Sequence, residues 1–257
     1  VSSGIAWPIA GSLASVYSNQ GPIFAAALAI PLLGVRQLYR ATLKLQETNR
    51  ELLELMVKAI EARDPYTSGH SRRVAEAATV IARGFGLSGR QLERVSIAAL
   101  LHDVGKIHED FAPILRKEGP LTKEEWEVMK THPEKGAELV GTLSDLHDIV
   151  GPIRHHHEHW DGTGYPSGIA GESIPLASRI ITFADTIDAL TTDRPYRPAR
   201  TEAEVRAEVV RCRGSQFDPL ICDVVLGQTV WSQLFPKVRT NTPRAVTPQR
   251  VRLIKTG

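Results

Sequence analysis

The sequence predicts an all-α protein, in which a helical bundle domain follows a long linker helix and an apolar N-terminal segment. Three observations support this fold class. No run of residues alternates with the two-residue period of a β-strand. Residues 36–63 contain neither Gly nor Pro, which is typical of one uninterrupted helix. Apolar helical stretches separated by Gly and Pro then recur as far as residue 234.

The first 35 residues contain no Asp, Glu, Lys or Arg, and Arg36, Arg40 and Lys44 follow directly. Basic residues just after an apolar segment are typical of the cytoplasmic end of a membrane helix. We therefore expect residues 1–35 to be a transmembrane segment that places the rest of the chain at the cytoplasmic face of the inner membrane. Its two apolar pieces, 5–16 and 22–35, are each shorter than the roughly 20 residues that span a bilayer. A segment packed on a soluble core is therefore the alternative.

The linker, residues 36–63, carries Leu38, Leu45, Leu52 and Ala59 at heptad spacing, with Asn49 at a complementary position. Such a seam predicts a parallel homodimer through this helix, in which Asn49 would fix the register. The seam is short and half polar, so an amphipathic helix that lies on its own domain is an equal alternative. The helix should end at Asp64-Pro65, because the residue before proline avoids the helical region.

Residues 64–230 should form the main domain, and residues 231–257 a basic tail. Thr122 and Glu125 resemble a capping box at the start of one helix. Two further predicted helices begin near His70 and Ser88, and the others span about Ser144 to Glu158, Arg179 to Leu190, Glu202 to Arg213 and Pro219 to Leu234. Beyond Phe235 the chain has six basic and no acidic residues, which indicates a flexible or surface-associating end.

The bulk composition restricts the classes of function. Hydrophobic residues make up 42% and charged residues 23% of the chain, as in an ordinary folded protein. A net charge of +2 gives no reason to expect binding to a nucleic-acid polymer. The two cysteines, Cys212 and Cys222, show neither metal-site spacing nor a disulfide framework, which favours a reducing compartment.

Histidines and carboxylates that could bind a metal recur at predicted helix ends and turns. The apolar run Ala98–Leu101 leads directly into His102-Asp103, which should place this pair at the edge of a buried cavity. Asp185 lies within a strongly apolar helix, where an unpaired charge would be costly and a metal would neutralise it. Six of the nine histidines fit this pattern: His70, His102, His132, His155, His156 and His157. Nitrogen and hard oxygen ligands without sulfur suit iron, manganese or zinc.

The order His70, His102-Asp103, His132, Asp185 resembles the HD phosphohydrolase superfamily. The string from His156 to Pro166, HHEHWDGTGYP, is similar to the signature of its HD-GYP subfamily. Asp193–Arg197 and Gln216–Pro219 extend the resemblance, which covers roughly residues 50–228. Members of this subfamily are all-α and hydrolyse the bacterial second messenger cyclic di-GMP. The resemblance therefore implies a metal-dependent cyclic di-GMP phosphodiesterase that yields linear pGpG, with GMP as a further product.

The resemblance also implies roles for individual residues. One metal would be held by His70, His102, Asp103 and Asp185. A second would be held by His132, His156 and His157, with Asp103 bridging the pair. Lys106 would lie beside the scissile phosphate, where it can neutralise developing charge or protonate the leaving oxygen. The dinucleotide would contact Lys106, Tyr165, Arg194 and Arg197.

Two departures from the subfamily pattern affect these expectations. Tyr66 stands where members with three metals have a glutamate, so we expect two divalent ions, with iron or manganese ahead of zinc. The stretch after Lys106 is longer than usual. Its residues His108 and Glu109 are either additional metal ligands or residues that face solvent. Two alternatives to the phosphodiesterase are a nucleotide phosphohydrolase of the wider superfamily and a non-catalytic module that only binds cyclic di-GMP.

Overall fold

The computed structural model describes residues 15, 18, 21–62, 69–117, 119–193 and 198–236. These residues form helices and no β-strand, which confirms the all-α prediction. The α-helices are α1 Pro22–Glu61, α2 His70–Gly84, α3 Gly89–Leu101, α4 Ala112–Leu115, α5 Lys123–Met129, α6 His132–Gly141, α7 Val150–Arg154, α8 Leu176–Thr191, α9 Glu202–Arg211, α10 Pro219–Leu226 and α11 Gln228–Leu234. Short 3-10 helices span Val104–Ile107, Glu109–Phe111, Ser144–Ile149 and Gly171–Ser173.

Helix α1 joins the second apolar piece, residues 22–35, to the linker without a break, while most of the first piece, residues 5–16, lies outside the described residues. It is 40 residues long and contains Pro31 in its interior. By length and composition it is able to cross a membrane. The predicted seam residues Leu38, Leu45 and Leu52 are 70%, 60% and 53% exposed, so their side chains are available to a partner.

The chain divides into two compact units at the junction of Ser68 and Gly69. In the second unit α2 packs against α3 and α8 to form the centre of the bundle. Val74, Ala78 and Ile81 of α2 are completely buried, at a spacing of three and four residues that places them on one helix face. Ala98 of α3 and Phe183 of α8 are equally buried. This core fixes the ends of the three helices, from which the polar residues described below project.

The prediction of one continuous helix from Ser144 to Glu158 is wrong. A 3-10 helix, Ser144–Ile149, is followed by the five residues of α7, and the three histidines lie in the turn after Arg154. The carbonyl oxygen of Ile153 accepts a hydrogen bond from His156 Nδ1 at 2.6 Å. A local side-chain bond of this kind competes with continuation of the helix. The predicted helix over residues 219–234 is likewise divided, at Gly227, into α10 and α11.

The capping box at the start of α5 is present. Thr122 Oγ1 accepts the amide of Glu125 at 3.2 Å, and Glu125 Oε2 accepts the amide of Thr122 at 2.7 Å. Several predictions fall outside the described residues: the helix end at Asp64-Pro65, Tyr66, the two arginines Arg194 and Arg197, and the tail beyond residue 236.

Candidate metal centre

Five segments of the second unit bring the predicted ligands together. His70 begins α2, His102-Asp103 follows α3, and His132 begins α6. The turn after α7 supplies His156 and His157, and α8 supplies Asp185. Since these segments are far apart in sequence, only the packing of the bundle joins their side chains.

The first cluster contains His70, His102 and Asp103, whose candidate ligand atoms all lie within 4.8 Å of one another. Asp103 Oδ2 lies 3.8 Å from His70 Nε2 and 3.5 Å from His102 Nε2. Asp185 Oδ1 approaches the same His70 Nε2 to 3.4 Å. All four residues that the resemblance assigned to one metal therefore meet around His70 Nε2.

The second cluster contains His132, His156 and His157, again with ligand atoms within 4.8 Å of one another. Asp103 Oδ1 lies 3.2 Å from His132 Nε2. One oxygen of this carboxylate thus faces each cluster, which is the arrangement that a bridging ligand requires.

The imidazole rings are oriented by backbone carbonyls. Three rings donate a hydrogen bond from Nδ1 to the carbonyl oxygen three residues earlier in the chain. His102 donates to Ala99 at 2.7 Å, His132 to Met129 at 2.7 Å, and His156 to Ile153 at 2.6 Å. Because a carbonyl only accepts, the proton must be on Nδ1, and in the neutral ring Nε2 keeps a lone pair. This is how histidines that bind metals are commonly held.

Two of these lone pairs face each other. His132 Nε2 and His156 Nε2 are 3.3 Å apart, and neither can donate to the other when both protons are on Nδ1. Burial holds the pKa of His156 and of His157 well below the ordinary value, which keeps both rings neutral. Neutral nitrogens that converge in this way fit a bound cation.

Asp103 is charged and lacks a complete set of hydrogen bonds. Burial would raise its pKa, but Lys106, with Nζ at 2.7 Å from Oδ2, and His102 hold the pKa well below the usual range for a carboxyl. Its Oδ1 is inaccessible to solvent and accepts no hydrogen bond from the described residues. A buried carboxylate oxygen without a donor is costly unless a cation occupies its open side. The residues present therefore fit divalent metal binding.

Asp188 belongs to the site, and sequence reasoning did not give it a role. Its Oδ2 accepts a hydrogen bond from His70 Nδ1 at 2.7 Å, while Arg73 Nε donates to Oδ1 at 2.6 Å. Asp188 therefore does for His70 what backbone carbonyls do for the other rings. The only signal in the sequence was its position one turn after Asp185 on the same apolar helix.

Lys106 and Tyr165 border the two clusters. Lys106 lies on the 3-10 helix Val104–Ile107 and contacts Asp103, as given above. The Tyr165 ring stacks on the His157 ring with centroids 4.8 Å apart. Burial and the charges of Asp103 and Asp185 raise the pKa of Tyr165, so its hydroxyl remains protonated and able to donate.

Two further histidines of these segments contact side chains other than the metal ligands. His155 Nδ1 lies 3.6 Å from Glu158 Oε1, and His159 Nδ1 is 3.0 Å from Thr163 Oγ1. His108 and Glu109 are exposed, so the alternative that they face solvent is confirmed. The arginines predicted to contact the substrate, Arg194 and Arg197, are among the residues that the structure does not describe.

Comparison with known proteins identifies the family of the chain. The HD domain family matches residues 54–221. A cyclic di-GMP phosphodiesterase response regulator of Xanthomonas campestris is 39% identical over 204 residues, which are 78% of this chain and 54% of that protein. A 3'3'-cGAMP-specific phosphodiesterase of Vibrio cholerae is 35% identical over 201 residues, 77% of this chain and 38% of that protein. The chain thus spans about half or less of the length of these curated relatives.

Solved structures share the fold. A cyclic GMP-AMP specific phosphodiesterase of V. cholerae superposes with a TM-score of 0.54 at 23% identity, over 72% of this chain and 51% of the other. An HD-GYP-type protein of Bdellovibrio bacteriovorus gives a TM-score of 0.50 at 18% identity, over 84% of this chain and 69% of the other. The resemblance that the sequence motifs indicated is confirmed, and the chain belongs to the HD domain family.

Proposed function

We propose that the chain is a metal-dependent phosphodiesterase that hydrolyses cyclic di-GMP in bacterial second-messenger signalling, with linear pGpG as the product and GMP as the alternative end product. The observation that carries this proposal is Asp103, which directs one carboxylate oxygen to each of two ligand clusters and pairs with Lys106. The curated relatives include several proteins named as cyclic di-GMP phosphodiesterases.

The two clusters would hold two divalent ions, with iron or manganese ahead of zinc. His70, His102, Asp103 and Asp185 would bind one ion, and His132, His156 and His157 would bind the other, with Asp103 shared. When bound, such a pair supplies a nucleophile at neutral pH and Lewis acidity toward the phosphate oxygens.

Residues of the chain would then position the substrate and transfer protons. Lys106 would neutralise charge on the phosphate or protonate the leaving oxygen. Tyr165 would donate its hydroxyl proton to the dinucleotide. Arg194 and Arg197 would contribute planar donors to phosphate or to a guanine edge.

A second candidate substrate is 3'3'-cGAMP, because some relatives with similar identity to this chain are named for it. Both compounds present the same 3',5'-phosphodiester to the metal centre, so the two ligand clusters do not separate them. The choice between guanine and adenine must depend on residues that line the remainder of the cleft.

Helix α1 would anchor the domain. Its apolar first part would lie in the inner membrane and its polar second part in the cytoplasm, where Leu38, Leu45 and Leu52 would pair with a second copy. The apolar composition followed by Arg36, Arg40 and Lys44 supports this orientation.

The decisive experiment incubates metal-replete full-length protein with cyclic di-GMP, 3'3'-cGAMP and a panel of nucleoside phosphates. We expect cyclic dinucleotides to be cleaved and the Asp103→Ala variant to be inactive, whereas Asp110→Ala, which removes an exposed carboxylate paired with Lys135, should keep its activity. Cleavage of nucleoside phosphates alone would favour the wider superfamily's chemistry. Binding of cyclic di-GMP without turnover would favour a non-catalytic module.

A further inference from the structure

Trp126 is a large aromatic side chain that the proposed reaction has not used. It lies on α5, where none of the residues is fully buried, and it is 47% exposed. Single exposed apolar residues are common on protein surfaces. What sets Trp126 apart is its position relative to the metal centre.

Helix α5 leads directly into that centre. The carbonyl of Met129, at the end of α5, accepts the hydrogen bond that orients His132. Trp126 precedes Met129 by three residues, so the two lie on the same face of the helix. The indole is placed toward the candidate metal ligands by its contact with Tyr165, which itself stacks on His157.

Aromatic rings connect Trp126 to those ligands. Its ring meets the Tyr165 ring edge to face, with centroids 6.4 Å apart. Tyr165 in turn stacks on His157 with centroids 4.8 Å apart. The three rings form a continuous wall from a metal ligand to solvent, and Trp126 is its outer end.

The other tryptophans that the structure describes differ in this respect. Trp231 is 6% exposed, and its Nε1 donates to Glu202 at 2.6 Å. Trp160 is partly buried beside the Arg179 guanidinium, 5.6 Å from its ring centroid. For Trp126, no hydrogen bond from the indole N–H is found to any residue in the described part of the chain. Both its ring face and its N–H are thus open to a ligand.

We infer that Trp126 is a substrate-binding residue that stacks on one nucleobase of the substrate, a role that rests on the proposed function. In a cyclic dinucleotide only a ribose separates each base from its phosphate, so a phosphate at the metal centre brings a base to the surrounding wall. Planar aromatic surfaces bind nucleobases by stacking, with little preference among the bases. Both candidate substrates carry only purines, so the ligand class is a purine base.

The test uses full-length protein in three variants: Trp126→Ala, Trp126→Phe, and Val128→Ala as a control for an exposed apolar side chain on the same helix. We expect Trp126→Ala to raise KM for cyclic di-GMP about tenfold. Its kcat should stay within about twofold of the unchanged protein, because a stacked base is held equally in the ground and transition states. Trp126→Phe should recover most of the loss, and Val128→Ala should show none.

A second measurement follows binding before turnover. Cyclic di-GMP mixed rapidly with the metal-loaded protein should quench tryptophan fluorescence before any cleavage, and this quenching should be absent in Trp126→Phe. An unchanged KM in Trp126→Ala, or a loss of activity that parallels a loss of bound metal, would overturn the inference.

Failure of the proposed function would give a different result. Metal-replete protein with Trp126 intact would then leave every cyclic dinucleotide uncleaved. In that case the fluorescence measurement still decides whether Trp126 binds a base, because it does not depend on hydrolysis.

Discussion

Four imidazole rings of the site are oriented by a hydrogen bond from Nδ1. His102, His132 and His156 use the carbonyl oxygen three residues earlier, whereas His70 uses the Asp188 carboxylate. The first three depend on local backbone geometry, and a side-chain substitution cannot remove their acceptors. His70 depends on a residue 118 positions away in sequence, and it is therefore the ring that mutation can release.

Replacing Asp188 should weaken metal binding. We expect Asp188→Asn to lower the affinity of the first cluster by about 10- to 100-fold, because the neutral amide holds the His70 tautomer less firmly. Equilibrium dialysis with Mn²⁺, followed by elemental analysis, measures this change. Asp223→Asn is a matched control, since Asp223 also receives two hydrogen bonds from one arginine, Arg213, away from the site. Equal metal affinity in the two variants would contradict the role of Asp188.

The buried histidines should make the metal-free protein sensitive to acid. Burial lowers the pKa of His102, His156 and His157 below the value of about 6.5 for the unfolded chain. As pH falls through 6.5, the unfolded chain therefore takes up protons at these sites that the folded chain does not. For His70 burial is outweighed by Asp188 and the neighbouring charges, so its pKa is raised and it contributes in the opposite sense.

The pKa is lowered for three of these histidines and raised for one, so the folded protein should lose stability in acid. We expect the free energy of unfolding to fall by on the order of 2 kcal/mol between pH 7 and pH 5.5. Urea unfolding of metal-stripped protein across this range measures the change. A constant or rising free energy would show that these rings are not buried in neutral form.

At the scale of secondary structure, the site depends on a close approach between the 3-10 helix Val104–Ile107 and α6. A Cβ atom placed on Gly105 would lie 2.0 Å from the carbonyl oxygen of His132 and 2.6 Å from the amide nitrogen of Gly136. Both neighbours are backbone atoms, so the two elements would have to separate. Lys106 and His132 could not then keep their positions around Asp103.

Gly105→Ala should therefore disturb both stability and the second metal cluster. We expect a loss of more than about 2 kcal/mol in the free energy of unfolding, and less than one bound ion per chain at the His132 cluster. Gly141→Ala, at the end of the same helix α6, is the control: its Cβ would meet only Val150 Cγ2, at 3.8 Å. The control should change stability by no more than about 1 kcal/mol. If both variants behave alike, the close approach at Gly105 is unimportant.

The elements differ in how far the sequence predicted them. The apolar run before His102 and the capping box at Thr122 are local patterns, and both appear in the structure where expected. The turn that carries His156 was predicted as helix, because the bond from its ring to the Ile153 carbonyl has no signature in the sequence. Asp185 and Asp188 lie one turn apart on α8, and only the packing against α2 shows that one faces the ligand clusters while the other holds His70.

At the scale of the whole molecule, α1 is longer than a membrane requires. Its 40 residues extend roughly 60 Å, twice the roughly 30 Å of a hydrocarbon core. Only residues 22–35 of α1 lack charge, roughly 21 Å of helix, so the longer part from Arg36 onward would project from the bilayer as a stalk. This arrangement supports a domain that is tethered and paired through one continuous helix.

The membrane proposal predicts how the chain partitions in cells. The full chain should remain in the membrane fraction after extraction at high pH, and Phe24→Arg combined with Ala27→Arg should release it, because each arginine near the centre of the span costs about 3 kcal/mol of insertion. Leu45→Arg with Leu52→Arg, in the second half of α1, is the matched control and should stay in the membrane. Recovery of the unchanged chain in the soluble fraction would contradict the proposal.

We propose that seven side chains of the chain would hold two cations and that hydrolysis of a cyclic dinucleotide requires both. This proposal is tested most directly by titrating Mn²⁺ or Fe²⁺ into metal-free full-length protein under anaerobic conditions, with bound metal and cyclic di-GMP cleavage measured on the same samples. We predict that cleavage is absent without metal and reaches its plateau at two ions per chain. A plateau at one ion, or two bound ions without cleavage, would contradict this account.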